Sequence, residues 1–472
     1  MIGELLLAAA LGQSPAPPVA PSGPPRTMPA VPLPATSGPL TSSTGERLVP
    51  NGDGTYRIDA GPAAGGSNGT GSSSNGAAGN GSTGTGTPGG NDAEKKENQP
   101  AAEDPKPPTK YLVEQLLDQS PAGQLLSDRG LKIYGWAAMN YTGGSSRRTN
   151  LPTTFNDRDN AYQLNQNYLV LEKGIDTTKK EVQYGFQTDM ILPGTDARFT
   201  LARGLLDSQL RNGTNGGPRN YPIDLYQAYG QVYLPNVGEG TTVKVGKFAT
   251  HLEYEVAQAT LTPFVSRSYL FQYNPFTHTG VWATTQLNDD WSVSNGAAVG
   301  NDNFIDPTNR ATYLGQLKWA PKGGKTTALL GVSVTNPRFD TAENFPNYNV
   351  YNFQLIQKVT DKFTYVFDGS FSHIDNAPGS RPSTNWFGGV NYLIYQVTDK
   401  LTSTLRVELF NDSSGFRTGT EGLYTAVTYG LAYTPVEAVI LRPFVRYDHN
   451  RNGPFEGKDN LVTGGLEAIL RY

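Results

Sequence analysis

From Leu131 to Tyr472 the chain reads as runs of alternating apolar and polar residues, joined by two kinds of connection that take turns. One kind is tight: "DTTKK", "PNVGEG", "NDD", "PKGGK", "TDK" before Phe363, "TDK" before Leu401, and "TPVE". The other is long: 143–160, 193–223, 252–278, 301–310, 336–349, 375–383, 411–422 and 449–460. Period-two alternation sends successive side chains to opposite faces of a strand, and Gly, Asn, Asp and Pro between the runs supply turns. Tight and long connections in strict alternation describe an up-and-down antiparallel meander. The spacing predicts about sixteen strands, most of about 9–13 residues, a length suited to a tilted strand crossing a bilayer. They begin near Leu131, Ala161, Glu181, Asp224, Thr241, Thr279, Trp291, Ala311, Thr326, Val350, Lys362, Thr384, Lys400, Leu423, Glu437 and Leu461.

The two faces differ in kind. On "EVQYGFQTDMIL" Val182, Tyr184, Phe186, Met190 and Leu192 oppose Gln183, Gln187 and Asp189. On "VILRPFVRYDH" Val439, Leu441, Pro443, Val445 and Tyr447 oppose Arg442, Arg446 and Asp448. On "LTSTLRVELF" Leu405, Val407 and Leu409 oppose Thr404, Arg406 and Glu408. The polar face is Gln, Asn, Thr, Ser and Gly with sparse charge, unlike the Lys- and Glu-rich exterior of a soluble sheet. Tyr226, Trp291, Trp319, Trp386, Tyr424, Tyr433 and Tyr447 are read as an aromatic girdle on the apolar face.

These features fit a closed antiparallel transmembrane β-barrel with lipid outside and water within. At mid-membrane a lipid-facing Arg or Lys costs about 2–4 kcal/mol. In the last run, "LVTGGLEAILRY", Glu467 and Arg471 therefore belong to the lumen, while Val462, Leu466 and Leu470 meet lipid. Closure requires this strand to pair with the first, near Leu131–Tyr141, because an open edge in hydrocarbon leaves backbone groups unsatisfied. With an even strand count both ends of the meander lie at the short-turn rim, which faces the periplasm in an outer-membrane barrel. The long loops then face outside.

Ahead of the barrel the composition changes. Residues 1–13 carry an apolar stretch, Leu5 to Leu11, followed by small residues, as in a secretory signal, although Glu4 stands where a positive charge is usual. Residues 14–110 are rich in Pro, Gly, Ser and Asn and too poor in apolar side chains to offset their ordering entropy; they read as a disordered periplasmic tether. Over 111–128 a short helical segment is expected, with Leu112, Leu116 and Leu117 on one side and Pro121 as a stop. There is no run of 18 or more apolar residues, so no helix spans a bilayer. A net charge of -4 argues against nucleic acid as a partner. The absence of cysteine removes disulfides and thiolate chemistry, and four scattered histidines leave little for a His-based catalytic or metal site. No cofactor and no catalytic residue are expected.

"GFQTDMILPGTDARFT", "DLYQAYGQVYLP", "VKVGKF", "YEVAQATLTPFVSRSYLF" and "PFTHTGV", with "LKIYGWAAMNYT" and the meander after 282, resemble in order and spacing the second family of β-barrel porins, the OmpL-like one. The resemblance covers nearly everything from about 125 to 472. It implies a porin-like outer-membrane protein and brings no substrate, cofactor or catalytic residue with it. The chain departs from the pattern at Glu253, which precedes "YE" where glycine is expected, and at "PFV" before "SRSY", where a tyrosine is more usual. The terminal aromatic after alternating apolar residues also resembles the signal read by the outer-membrane insertion machinery, an expected partner alongside outer-membrane lipid and small hydrophilic solutes.

By the strand count, 252–278 is the third long loop, the one that folds into the barrel and narrows it in sixteen-stranded general porins. It carries Glu253, Glu255 and Arg267 with Tyr254, Tyr269, Phe271 and Tyr273. Facing it would stand the wall charges Asp189, Arg406, Glu408, Arg442, Arg446, Asp448, Glu467 and Arg471. Two readings stay open. Arginines against loop carboxylates set a transverse field that screens ions, or the charges are lumen salt bridges that brace the barrel. The function expected is passive diffusion of small hydrophilic solutes and ions, with neutralisation of Glu253 and Glu255 together shifting permeability toward anions. The alternative is a non-conducting barrel acting as a surface adhesin or structural anchor. A homo-oligomer is compatible with either, but no dry patch for it is recognisable in the sequence.

Overall fold

A computed structural model describes residues 48–50, 56–58, 113, 120–213, 217–305, 311–336, 347–377 and 383–472. The expected signal segment 1–13 and most of the expected tether 14–110 lie outside the described residues. Within the tether, Leu48–Pro50 and Tyr56–Ile58 pair as a short antiparallel hairpin.

The described residues form a closed antiparallel barrel of sixteen strands. In chain order these are β1 (Leu131–Gly144), β2 (Ala161–Lys173), β3 (Gln183–Ile191), β4 (Asp224–Leu234), β5 (Thr241–Ala249), β6 (Thr277–Gln286), β7 (Trp291–Ala298) and β8 (Thr312–Trp319). They continue as β9 (Thr326–Val334), β10 (Asn349–Lys358), β11 (Phe363–Asp375), β12 (Ser383–Thr398), β13 (Leu401–Asp412), β14 (Gly422–Val436), β15 (Val439–His449) and β16 (Asn460–Arg471). Each strand pairs with its neighbours in sequence, and β16 closes on β1 with Leu466 opposite Tyr141 and Arg471 opposite Trp136. The strand count, the starts and the seam follow the expectation from the sequence.

The tight turns have a local cause. In the β6–β7 turn the Asn288 carboxamide oxygen accepts from the amides of Asp290 and Trp291 at 2.9 and 3.0 Å. In the β10–β11 turn the Thr360 hydroxyl accepts from the amides of Lys362 and Phe363 at 3.2 and 3.0 Å. Asn and Thr side chains thus replace a backbone acceptor and let two residues reverse the chain.

The structure separates apolar and charged positions by face. Val462, Leu466 and Leu470 of β16, and Val445 and Tyr447 of β15, are exposed on the outer surface, whereas Arg406, Glu408, Arg442, Arg446, Asp448 and Glu467 are buried inside. Arg471 ends β16 half-buried and donates to the Glu437 carbonyl of the β14–β15 turn, so it braces the short-turn rim. Three of the expected girdle aromatics are misplaced. Tyr226, Trp386 and Tyr424 point inward and are fully buried. The inner face of β12 is itself apolar, with Val390, Tyr392 and Ile394 beside Trp386, because what it meets is not water but the loop between β5 and β6.

The helix described before the barrel, Pro121–Asp128, starts at the proline expected to end one. Ser120 caps it, its hydroxyl accepting from the Gly123 amide at 3.1 Å, and proline suits a first helical position because its missing N–H would have no partner there. Apart from Val113, residues 111–119 lie outside the described residues.

A loop clamped across the lumen

The β5–β6 connection, 250–276, does not stand outside the barrel. From Thr250 to Phe276 it is buried almost throughout, folded into the lumen. A one-turn helix, Tyr269–Tyr273, shapes its second half, capped by Ser268, whose side chain accepts from the Phe271 amide at 3.2 Å. Glycine at 331 makes room for its first half: a Cβ there would lie 3.0 Å from the Leu252 side chain.

Three arginines hold the loop to one wall. Arg406 of β13 pairs with Glu255 at 2.6 Å and donates to the Ser266 carbonyl at 2.8 Å, with Glu408 3.3 Å behind it. Arg442 of β15 pairs with Glu467 of β16 at 2.5 Å and donates to the carbonyls of Ala259, at 2.8 Å, and Thr262. Arg446 grips Asp448 at 2.6 Å, donates to the Arg267 carbonyl at 2.6 Å and lies over the Tyr269 ring. Tyr269 in turn donates its amide to Glu408 at 2.7 Å and its hydroxyl to Asp448 at 2.9 Å. Guanidinium is suited to this because five rigid donors can serve a carboxylate and a carbonyl at once.

The opposite walls add neutral contacts. Gln316 of β8 donates to the His251 carbonyl at 2.8 Å, and His251 Nε2 lies 3.0 Å from the Val332 carbonyl. Asp368 of β11 accepts from the Tyr254 amide at 2.7 Å. Asn274 donates to Glu253 and to Ser370 of β11, and accepts from Ser372 of β11 and the Trp386 indole of β12. Gln166 of β2 donates to the Ala257 carbonyl at 2.6 Å.

A family model described as "Putative beta-barrel porin-2, OmpL-like" matches residues 130–471. The chain belongs to that family. It is an outer-membrane porin, a passive diffusion channel, and its setting is the bacterial outer membrane. Among solved structures it is similar to an anion-selective porin from Comamonas acidovorans, with 9% identity and a TM-score of 0.50, covering 72% of this chain and 99% of that one. It is also similar to Pseudomonas putida OprB at high pH (12%, 0.48, 75% and 97%) and to the outer membrane channel DcaP of Acinetobacter baumannii (13%, 0.47, 72% and 97%). At such identities the likeness is one of fold. No curated protein matches the sequence.

Of the site residues expected from sequence, the porin brings Glu255, Arg406, Glu408, Arg446 and Asp448 into one cluster and joins Arg442 to Glu467 beside it. Arg267 turns back into its own loop, donating to the carbonyls of Phe264 and Ala257 at 2.8 and 3.1 Å between the rings of Phe155 and Phe271. Asp189 lies outside that cluster, accepting from Tyr168, Gln227 and Gln187 at 2.7–2.9 Å and, at 3.4 Å, from Gln258 of the loop. Asp368 and Asn274 join the site without having been singled out. Asp368 was legible as an inward residue of "KFTYVFDGSFS", but nothing local tied it to the loop.

Proposed function

We propose that small hydrophilic solutes and ions diffuse past a fixed constriction made by the loop 250–276, with the wall arginines acting as its anchors. The observation that carries this reading is that each guanidinium spends its donors on a loop carbonyl or on a neighbouring carboxylate. Charges so paired cancel locally, which favours bracing over a transverse screening field. Purified protein in a planar bilayer should give stable ohmic steps, and deleting 255–272 should enlarge them. A refolded barrel that never conducts would count against the channel.

A second reading has a specific observation behind it. Tyr254, Tyr269, Tyr273, Trp386, Tyr392, Phe410 and Tyr424 form a buried apolar cluster inside the barrel. So much packing in the lumen suits a sealed barrel that presents its long loops as an adhesin or anchor, and the same recording separates the two. The proposed orientation puts the short turns and the tether in the periplasm.

The wall β5–β9 is the proposed contact between copies. At its centre β7 and β8 have only 8 residues each, against 16 in β12 and 15 in β14. Eight residues at ~3.3 Å, tilted ~40°, span roughly 20 Å, short of a ~25 Å apolar band. Val245, Val281 and Ala297 face outward there beside the larger Tyr313, Leu317 and Leu330, an apolar surface. Five strands at ~4.8 Å spacing offer about 600 Å² of sheet per copy, or ~1,200 Å² in a pair, within the range of a stable interface.

A further inference from the structure

Glu253 holds a backbone conformation that glycine would favour, with φ 68°. A longer side chain persists there only when its surroundings over-determine it. The side chain is fully buried as well. Its Oε1 accepts from Asn274 Nδ2 at 2.5 Å, and the Ser370 hydroxyl of β11 stands beside the carboxyl as a second neutral donor. Opposite lies the Asp368 carboxyl, whose oxygens accept from Asn352 Nδ2 at 2.8 Å and the Tyr254 amide at 2.7 Å. Asn352 ties the two residues together, its Oδ1 accepting from the Glu253 amide at 3.3 Å while its Nδ2 serves Asp368, and Asp368 also holds the amide of Tyr254, the next residue. Among the described residues no Lys or Arg forms an ion pair with either. Like charges this close cannot both ionise in a dry site.

We propose that Glu253 and Asp368 share one proton across the contact between loop and wall, and that this proton fastens the start of the loop to β11, so that the constriction loosens as pH rises. The inference rests on the channel reading above. The other titratable or charged neighbours are Tyr254, Glu255 and His251 on the loop, Tyr392 on β12 and Arg406 on β13. Arg406 is taken up by Glu255 at 2.6 Å, and Tyr254 packs its ring on Tyr392 at 4.9 Å. His251 is pushed down to about 3 by burial and then by His278, so it stays neutral and does not switch in this range.

The direction follows from proton linkage. Undocked, Glu253 has the ordinary pKa of a glutamate. Docked, burial first and Asp368 second hold it well above that value. Below the ordinary glutamate range both states keep the proton and docking has its full strength. Above it the undocked state sheds the proton, and each pH unit weakens docking up to tenfold until the docked pKa is passed.

The test compares the unaltered protein with Glu253→Gln, whose amide donates to Asp368 but has no proton to lose, and with Asp368→Asn as a second variant. Infrared spectra at pH 7 should contain a protonated-carboxyl carbonyl band that is smaller in E253Q. Single-channel conductance should rise between pH 5 and pH 9 in the unaltered protein and rise much less in both variants. A spectrum in which E253Q retains the whole band, or an E253Q channel with the unaltered pH response, overturns the proposal. The infrared result stands whether or not the barrel conducts, so failure of the channel reading is distinguishable from failure of the latch.

Discussion

The guanidinium of Arg406 lies 2.6 Å from the carboxylate of Glu255, and both side chains are sealed from solvent although 151 residues separate them. A buried ion pair contributes little over an apolar substitute, but breaking one by removing a single partner costs about 3–5 kcal/mol, because the survivor is left charged without compensation. Arg406 keeps Glu408 at 3.3 Å, so Glu255→Ala should fall at the low end, about 3 kcal/mol. The double variant E255A/R406M should recover much of that. Urea unfolding, followed by the gel shift of the folded barrel, measures both; equal losses in the single and double variants would mean the pair is not coupled.

Charge selectivity divides unequally between the two loop glutamates. With the shared latch proton on Glu253, which burial and then Asp368 favour, Glu253→Gln removes no charge. Glu255→Gln removes one negative charge from a cluster in which three carboxylates face Arg406 and Arg446. Reversal potentials in a salt gradient should therefore be unchanged in E253Q and shifted toward anions in E255Q. A shift of equal size in both would contradict the protonated Glu253.

What the sequence made legible was whatever depends on neighbours along the chain. Period two and the contrast of turn lengths place sixteen strands, and Arg442, Arg446 and Glu467 identify the inner face because charge cannot face lipid. Periodicity separates two faces but does not say what each one meets. Trp386, on a strand whose inner face reads Val390, Tyr392 and Ile394, looks like a lipid-facing aromatic until the loop that covers it is in place. The ties that fix that loop, such as Ser372 to Asn274 across 98 residues, have no local signature. Pro121 was ambiguous for a related reason, since proline both ends and begins helices.

The seam depends on Gly135. A Cβ there would sit 2.2 Å from the Tyr168 carbonyl oxygen and 2.7 Å from the ring of Tyr472, whose hydroxyl reaches Asn167 at 2.8 Å. Gly135→Val should prevent β16 from closing on β1 and yield little heat-modifiable barrel. Gly464→Ala, whose Cβ would meet only the Phe444 carbonyl at 3.4 Å, should fold normally. Comparable folded yields for G135V and G464A would remove the seam argument.

Asp157 and Arg198 join two of the long connections, 145–160 and 192–223, through a two-pronged contact of 2.6 and 2.9 Å. Burial opposes the charge on Asp157, but Arg198 outweighs it and the carboxyl lies below its usual value of 3.8. The depressed value means the pair stabilises fully above pH 3.8 and fails only as pH falls through the lower, folded value. Limited proteolysis should find these loops resistant at pH 5 and cut after acidification below pH 3. In Asp157→Asn they should already be cut at pH 5. Cleavage of the unaltered protein that is the same at both pH values would show that the pair does not hold them.

The short wall makes a prediction about neighbours. The sequence contains no cysteine, so single cysteines can be introduced without a background. Ala297 lies on the outer face of β7, one of the two adjacent eight-residue strands that fall short of the apolar band, and Leu409 lies on the outer face of β13, among longer strands. Nitroxide labels at Ala297→Cys should couple between copies in mild detergent or bilayers, because hydrophobic mismatch is relieved when two low walls face each other instead of lipid. Labels at Leu409→Cys should remain uncoupled. Dilution with unlabelled protein should abolish the coupling at 297 without changing mobility there. Coupling at 409 and none at 297 would put the contact on the other side of the barrel, and coupling at neither would leave the β5–β9 wall facing lipid.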